Sequence, residues 1–413
     1  MAKRRLPLDP SLEQLRNQAK ALLDSYVSGD PDVAQDFASF HPRGVTAEEA
    51  KLSDAQLVLA RTYAFPSWPR LRLGVELSHA LSAGDLDKIR RIVMEHPDVM
   101  AEQVRGEDSS WGPPLSFAAN LGDLAVIDLL LDLGAEDVQF AFDRAVLQGK
   151  IDVARGLAEH GGKPEPGMVM LPCETLNADG LSFLVEELGA DLSNSDGDST
   201  EPLRMILETY SRNPDGKHRC LDLVESQGTA LPDTPVMALH RGRVDLLEAH
   251  LERDSELLAR RFPYNAIYPY SREEGSGLHG TPLEGTALLH MAVDFDEQEI
   301  FDWLLEKGAD PNVRAEIDPD GFGGHTPLFN SVVSQAFLCG RQKDAGMART
   351  LLERGADPNA TASIRKALRF TEDEGPHEYR EVTPVIYGEQ FHLQRWVNQH
   401  AMEVIQELEV RDP

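Results

Sequence analysis

The chain has 413 residues, 41% hydrophobic and 7% aromatic, which suits two or three domains or one long array and excludes a disordered chain. Forty basic residues against seventy acidic ones leave a formal net charge of −30, a sign that repels phosphate backbones and anionic lipid, so neither nucleic-acid nor membrane-surface binding is expected. The only cysteines, Cys173, Cys220 and Cys339, are scattered and odd in number, which fits no disulfide framework or zinc ribbon and suits a reducing cytoplasm.

Met1-Ala2-Lys3-Arg4-Arg5 is followed by Leu6-Pro7-Leu8-Asp9-Pro10, where an export signal needs an apolar stretch. No run approaches the roughly 18 apolar residues of a membrane span. Residues 11–28 read as a helix, with Ser11 and Gln14 as a capping pair and Leu12, Leu15, Ala19, Leu22 and Leu23 on one face. A second short helix starts at Pro31, with Val33, Phe37 and Phe40 as its apolar side. Ser53 with Gln56 opens a third, and Phe65-Pro66-Ser67-Trp68-Pro69 turns into a fourth carrying Leu71, Leu73 and Val75. These make a compact helical cap over residues 1–75, with Trp68 as a buried aromatic anchor between helices.

From Leu77 a repeated grammar takes over, so that residues 76–410 read as an array. Its clearest unit runs from Pro113 to Ala135: Leu115, Ala118 and Ala119 face one way on a short helix, Gly122 turns the chain, and Val126, Ile127, Leu129 and Leu130 form a second helix. One such pair cannot bury its own apolar face, so neighbours must stack. Near the other end, Leu304-Leu305-Glu306-Lys307-Gly308-Ala309-Asp310-Pro311-Asn312 returns as Leu351-Leu352-Glu353-Arg354-Gly355-Ala356-Asp357-Pro358-Asn359. About nine units can be counted, and those across 165–230 are degenerate.

These stretches resemble ankyrin repeats. Gly324-His325-Thr326-Pro327-Leu328 is similar to the family's Gly-x-Thr-Pro-Leu helix start, and His290 with Ala292 stands where the family has His and Ala, with Ala287 and Leu288 in place of Thr-Pro. Gly308 to Asn312 and Gly355 to Asn359 resemble the Gly-Ala-Asp-x-Asn that closes each unit. The cap resembles the leader of bacterial ankyrin proteins through Ser11-Leu12-Glu13-Gln14-Leu15 and Phe65-Pro66-Ser67-Trp68-Pro69-Arg70-Leu71. The resemblance implies an all-α, helix-pair solenoid preceded by a helical cap. It also implies a non-catalytic protein-protein interaction module that binds on its concave and loop face. Carried over by position, Phe117, Asn120 and Leu121 in one unit and Met291, Asp294 and Phe295 in another are the exposed first-helix residues.

Ankyrin units run about 33 residues. Departures from that length place insertions at 262–285, 313–323, 335–342 and 361–381, and insertions in a solenoid map to loops, often on the binding face. The first holds Tyr264, Tyr268, Tyr270 and His279. Clustered tyrosines suit recognition, or fold back as a local mini-core. With Asp318, Asp320, Phe322 and His325 of the acidic 313–325 hairpin, they make the leading candidate contact surface. The expected partner of this acidic chain, itself expected to be a monomer, is another protein with a basic patch.

Catalytic and cofactor motifs are weak. Glu316, Asp318, Asp320 and Gly321 fit the start of a calcium loop, but Pro327 stands where the bidentate Glu belongs. The histidines lack ligand spacing, and the glycines of 321–324 lack a phosphate-loop pattern. No catalytic residue, metal ligand or cofactor is therefore expected. Two other readings remain open: an inhibitor or immunity-type protein blocking one enzyme, and a small-molecule or metal-dependent enzyme at the 279–325 corner.

Overall fold

The computed structural model describes residues 4–7, 9–106, 111–271, 280–340, 344–367 and 375–409. The chain divides into two compact units, residues 1–164 and 165–413. Both are predominantly helical.

In the first unit, helices Leu12–Val27, Pro31–Phe40, Leu52–Thr62 and Trp68–Ala83 enclose a core that includes Leu6, Leu15, Ala19, Phe37, Val58, Leu59, Leu71 and Val75. Ser11 caps the first helix by accepting from the Gln14 N–H, and Asp30 caps the second through the N–H groups of Asp32 and Val33. The third helix starts two residues earlier than Ser53 as its cap suggested. Lys51 stands at its cap, and the Asp54 carboxylate accepts from the Lys51 N–H at 2.8 Å. Trp68 is half-buried against this core.

The division expected after residue 75 falls inside the unbroken helix Trp68–Ala83, which packs against Leu52–Thr62 on one side and Pro114–Leu121 on the other. Pro114–Leu121 in turn packs on Val138–Leu147. A second row, Leu86–Glu95, Leu124–Asp132 and Ile151–Glu159, stacks alongside. Each helix thus buries against its neighbours in the row the face it cannot bury alone.

The second unit opens with short, irregular elements: Met170–Thr175, Ala178–Ser182, a π turn at Phe183–Glu187, Glu201–Glu208 and Pro214–Ser226. Regularity follows. Pro235–His240, Leu288–Phe295, Pro327–Val332 and Pro384–Gln390 pack in that order as a row. Val244–Arg253 packs on Gln298–Glu306, and Gly346–Glu353 on Gln399–Glu409.

The doubled motif has doubled geometry. Gly308 and Gly355 both take φ 93°, a left-handed conformation that a side chain would strain. Ala309 and Ala356 then donate back to Leu304 and Leu351, each at 2.9 Å. Asn312 joins the copies: its Nδ2 donates to the Gly355 carbonyl at 2.8 Å, and its Oδ1 accepts from the Asp357 N–H at 2.7 Å.

The expectation of an all-α fold needs correction at one insertion. Within 361–381, Ala362–Lys366 pairs antiparallel with His377–Val382. The strands bury Ile364 and Tyr379, and Tyr379 packs edge-on against Tyr387 at 5.1 Å. The other insertions are also structured where described. Tyr264–Ile267 and Gln335–Cys339 are short helices, and residues 315–325 form a tight hairpin bridged at Ile317 and Gly323.

Candidate functional site

The first-helix positions that the resemblance made exposed are mostly buried. Phe117 and Asn120 are 0% and 5% exposed; Leu121 alone of that trio reaches the surface. Asn120 spends its whole amide inside the first unit. Its Nδ2 donates to the Ser116 carbonyl, and its Oδ1 accepts both Nε and Nη2 of Arg144 at 2.9 and 2.7 Å. Phe117 lies under Trp111, with ring centroids 5.2 Å apart.

In the second unit Met291, Asp294 and Phe295 are buried because this chain covers its own groove face. Arg212, from the irregular stretch, donates Nη2 to Asp294 Oδ2 and Nε to the Asp294 carbonyl, both at 2.8 Å. Its guanidinium lies 5.0 Å over Phe295, and the Lys217 ammonium lies 4.7 Å over the same ring while pairing with Glu297 at 2.7 Å. Tyr268 packs edge-on to Phe295 and tilted against Tyr264, so two of the inserted tyrosines fold back as a mini-core. Tyr270 is half-buried, and His279 lies outside the described residues. Gln335, on the inserted helix, donates Nε2 to the Tyr210 carbonyl at 2.6 Å. Burial pushes Lys366 down to about 7, with Asp294 opposing and Arg212 reinforcing the shift. These charges sit where desolvation is costly, so they hold the insertions in register rather than offer a contact surface.

What stays open is the hairpin. A cleft of about 420 Å³ is walled by Pro282, Glu284 and Gly285 on one side, Glu316 to Pro319 with Phe322 and Gly323 on another, and Ile364 and Arg365 on the third, with His325 also lining it. The backbone sets this shape. Glu316 N–H donates to the Gly285 carbonyl, Asp318 N–H to Phe322, and Gly323 N–H to Ser363, fastening the hairpin to both walls. Asp318 Oδ1 accepts the N–H groups of Asp320 and Phe322, which makes this acid the keystone of a turn.

Charge in the cleft is unbalanced. Arg365 pairs with Asp320 at 3.0 Å and with Glu378 at 3.2 Å, and it lies 4.0 Å over the Phe322 ring, which Arg380 also approaches at 4.3 Å. Its charge is therefore committed. Glu284 and Glu316 are exposed and have no ion-pair partner among the described residues.

The two histidines of this corner are neutral. His290 accepts the Ala287 N–H at Nδ1 and donates Nε2–H to the His325 carbonyl at 3.1 Å, using both nitrogens on backbone. Burial pushes its pKa down to about 3. His325 donates Nε2–H to the Pro282 carbonyl at 2.9 Å, and burial pushes it down to about 4. A carbonyl only accepts, so the proton is on Nε2 and Nδ1 presents a lone pair. That Nδ1 has no hydrogen-bond partner, although the ring is 2% exposed. Among the described residues no group of three His, Cys, Asp or Glu side chains is placed to hold a metal.

The cleft thus gathers Asp318, Phe322 and His325 from the expected surface, with Asp320 beside it as a partner of Arg365, and leaves Tyr264, Tyr268, Met291, Asp294 and Phe295 inside. Glu284 and Arg365 were missed. Glu284 stands just before a unit start, and Arg365 lies on a strand that reads as loop. Alternation of Ile364 and Tyr379 with charged neighbours was the available signal.

No helix among the described residues is long and apolar enough to cross a membrane. No curated protein sequence matches the chain significantly. The ankyrin repeat family model matches residues 284–316, which span the helices Leu288–Phe295 and Gln298–Glu306 and the first wall of the hairpin. The chain carries an ankyrin repeat there, at the unit that builds the cleft.

Proposed function

We propose that this chain is a non-catalytic recognition module that binds another protein through the hairpin side of its second unit. The observation that carries the reading is the acidic cleft at the end of the matched repeat, left open while the groove row beside it is filled by the chain's own insertions. A stack of helix pairs supplies a rigid frame and no reactive group by itself. The frame extends the repeat pattern over about nine units behind a leader-like cap, in a protein of bacterial type acting as a monomer in the cytoplasm. The net charge of −30 favours a partner with a basic patch. The inhibitor form of this reading, with an enzyme as the partner, uses the same surface.

The test is affinity capture from a native lysate with the intact chain and with residues 316–323 replaced by a Gly-Ser linker. A stoichiometric partner should be retained by the first and lost by the second, and its binding should weaken when salt rises from about 50 to about 300 mM, because screening shortens the reach of exposed charge. Equal capture by both versions sinks the reading.

A further inference from the structure

Residues 209–213 lie between two helices of the irregular stretch, and their ends and their middle are held by different parts of the second unit. The ends belong to the irregular stretch. Thr209 Oγ donates to the Glu174 carbonyl, and Asn213 Nδ2 donates to the Leu176 carbonyl at 3.5 Å. The middle belongs to the row and to the inserted helix Gln335–Cys339. Arg212 donates twice to Asp294 at 2.8 Å, its N–H reaches the Cys339 carbonyl at 3.3 Å, and the Tyr210 carbonyl accepts from Gln335 at 2.6 Å. Neither end residue is helical: ψ is 151° at Thr209 and 86° at Asn213. The proline at 214 keeps the residue before it out of the helix, so Pro214–Ser226 cannot grow into this segment.

These middle contacts are all polar. Tyr210 carries the only large apolar surface between 209 and 213, and it is 39% exposed. The burial of apolar area that seats helix on helix elsewhere therefore contributes little here. The ion pair of Arg212 with Asp294 adds little net closure, because desolvating both charges offsets their attraction. The closed seam also leaves Asp294 Oδ1 and Gln335 Oε1 buried without a hydrogen-bond partner among the described residues. Such acceptors are satisfied once water reaches them, which narrows the gap between closed and open further.

We propose that residues 209–213 form a strap that lifts away from the row as one piece, pivoting at Thr209 and Asn213, while the helices Glu201–Glu208 and Pro214–Ser226 and the row itself stay folded. Closed, the strap plugs the Asp294–Phe295 end of the helix Leu288–Phe295 with Arg212, whose guanidinium lies 5.0 Å over the Phe295 ring. Open, it uncovers a carboxylate beside an aromatic face. The strap is thus an intramolecular cover that denies this face to a partner until it lifts. It stands apart from the hairpin cleft, and its test needs no partner.

The test is native-state hydrogen exchange on the intact chain at rising urea, below the unfolding transition. The amides of Ser211 and Arg212 donate to Thr209 Oγ and to the Cys339 carbonyl; those of Phe301 and Tyr387 donate within the helix pairs. The first two should share one opening constant and exchange about a hundredfold or more faster than the second two. Their exchange should hardly respond to urea, because lifting a short strap exposes little surface. Arg212→Lys keeps a positive charge for Asp294 and loses the planar fork. It should speed exchange at residues 211 and 212 by about tenfold and leave Phe301 and Tyr387 within about twofold. Strap amides that exchange only at the rate and urea slope of Phe301 and Tyr387 overturn the proposal. Unequal opening constants at 211 and 212, which mean residue-by-residue fraying, also overturn it. So does an Arg212→Lys variant in which the strap amides are unchanged or in which strap and row speed up together.

Discussion

Arg212 and Arg365 make the same contacts in opposite surroundings. Arg212 lies 5.0 Å over Phe295 and 2.8 Å from Asp294; Arg365 lies 4.0 Å over Phe322 and 3.0 Å from Asp320. The first pair is 3% and 0% exposed, the second 36% and 68%. Buried, the pair has lost its water, and each charge depends on the other; exposed, either charge falls back on solvent. The same residue types therefore lock insertions over the groove in one place and dress a rigid hairpin in the other. Burial, and not the identity of the pair, decides which.

The largest test of that contrast is Asp294→Ala. It removes the Asp294 carboxylate that Arg212 meets at 2.8 Å in a buried setting, and urea unfolding should show a loss of about 3–5 kcal/mol. The double change Arg212→Met, Asp294→Leu should recover most of it, because both members of the ion pair are then replaced by apolar side chains. A loss under about 1 kcal/mol for the single variant would mean that water reaches the pair.

Acid should act next. His290 and His325 have folded pKa values near 3 and 4, below their ordinary 6.5. Between those values the unfolded chain holds protons that the folded chain does not. Their contribution to stability is thus complete above pH 6.5 and is lost as pH falls toward 4, by up to about 1.4 kcal/mol per pH unit for each histidine. Chemical denaturation from pH 7 to pH 4.5 reads this slope. A curve that His325→Gln leaves unchanged would remove that ring from the account.

Asn312→Ala comes third. It breaks both hydrogen bonds that tie one copy of the doubled motif to the other, for a cost of about 1–2 kcal/mol and faster amide exchange at Asp357. Smallest is Arg365→Ala. Its exposed ion pairs should contribute under about 1 kcal/mol, so the melting temperature should barely move. A loss as large as that of Asp294→Ala would erase the distinction between the two clusters.

Much of the frame was legible in the residues. Ser11 and Pro31 marked two helix starts, the first capped by Ser11 itself and the second by Asp30, and the doubled Leu-Leu-Glu-x-Gly-Ala-Asp-Pro-Asn marked two turns of the same geometry. These signals are local: a cap acts over three residues and a glycine at its own φ. Departures from the unit length were legible too, because a spacing is counted without knowing where the extra residues go. The strand pairing of Ala362–Lys366 with His377–Val382 was not legible, since a short amphipathic run declares itself a strand only once it has a partner.

The candidate site divides the same way. That the 313–325 hairpin bears acids was plain, and so was its place beside the matched repeat. That Met291, Asp294 and Phe295 lie under a cover was not, because the residues that cover them come from far along the chain. Arg212 meets Asp294 across 82 positions, and Gln335 meets Tyr210 across 125. Periodicity reports which face of a helix is apolar or polar, and it carries no record of what another segment will lay over that face. The sequence by itself determined the repeat, its turns and the acidic hairpin, all built from contacts within a few residues. Only the tertiary structure decided which of its surfaces is filled and which is open, since long-range packing assigns each charge its solvent or its partner.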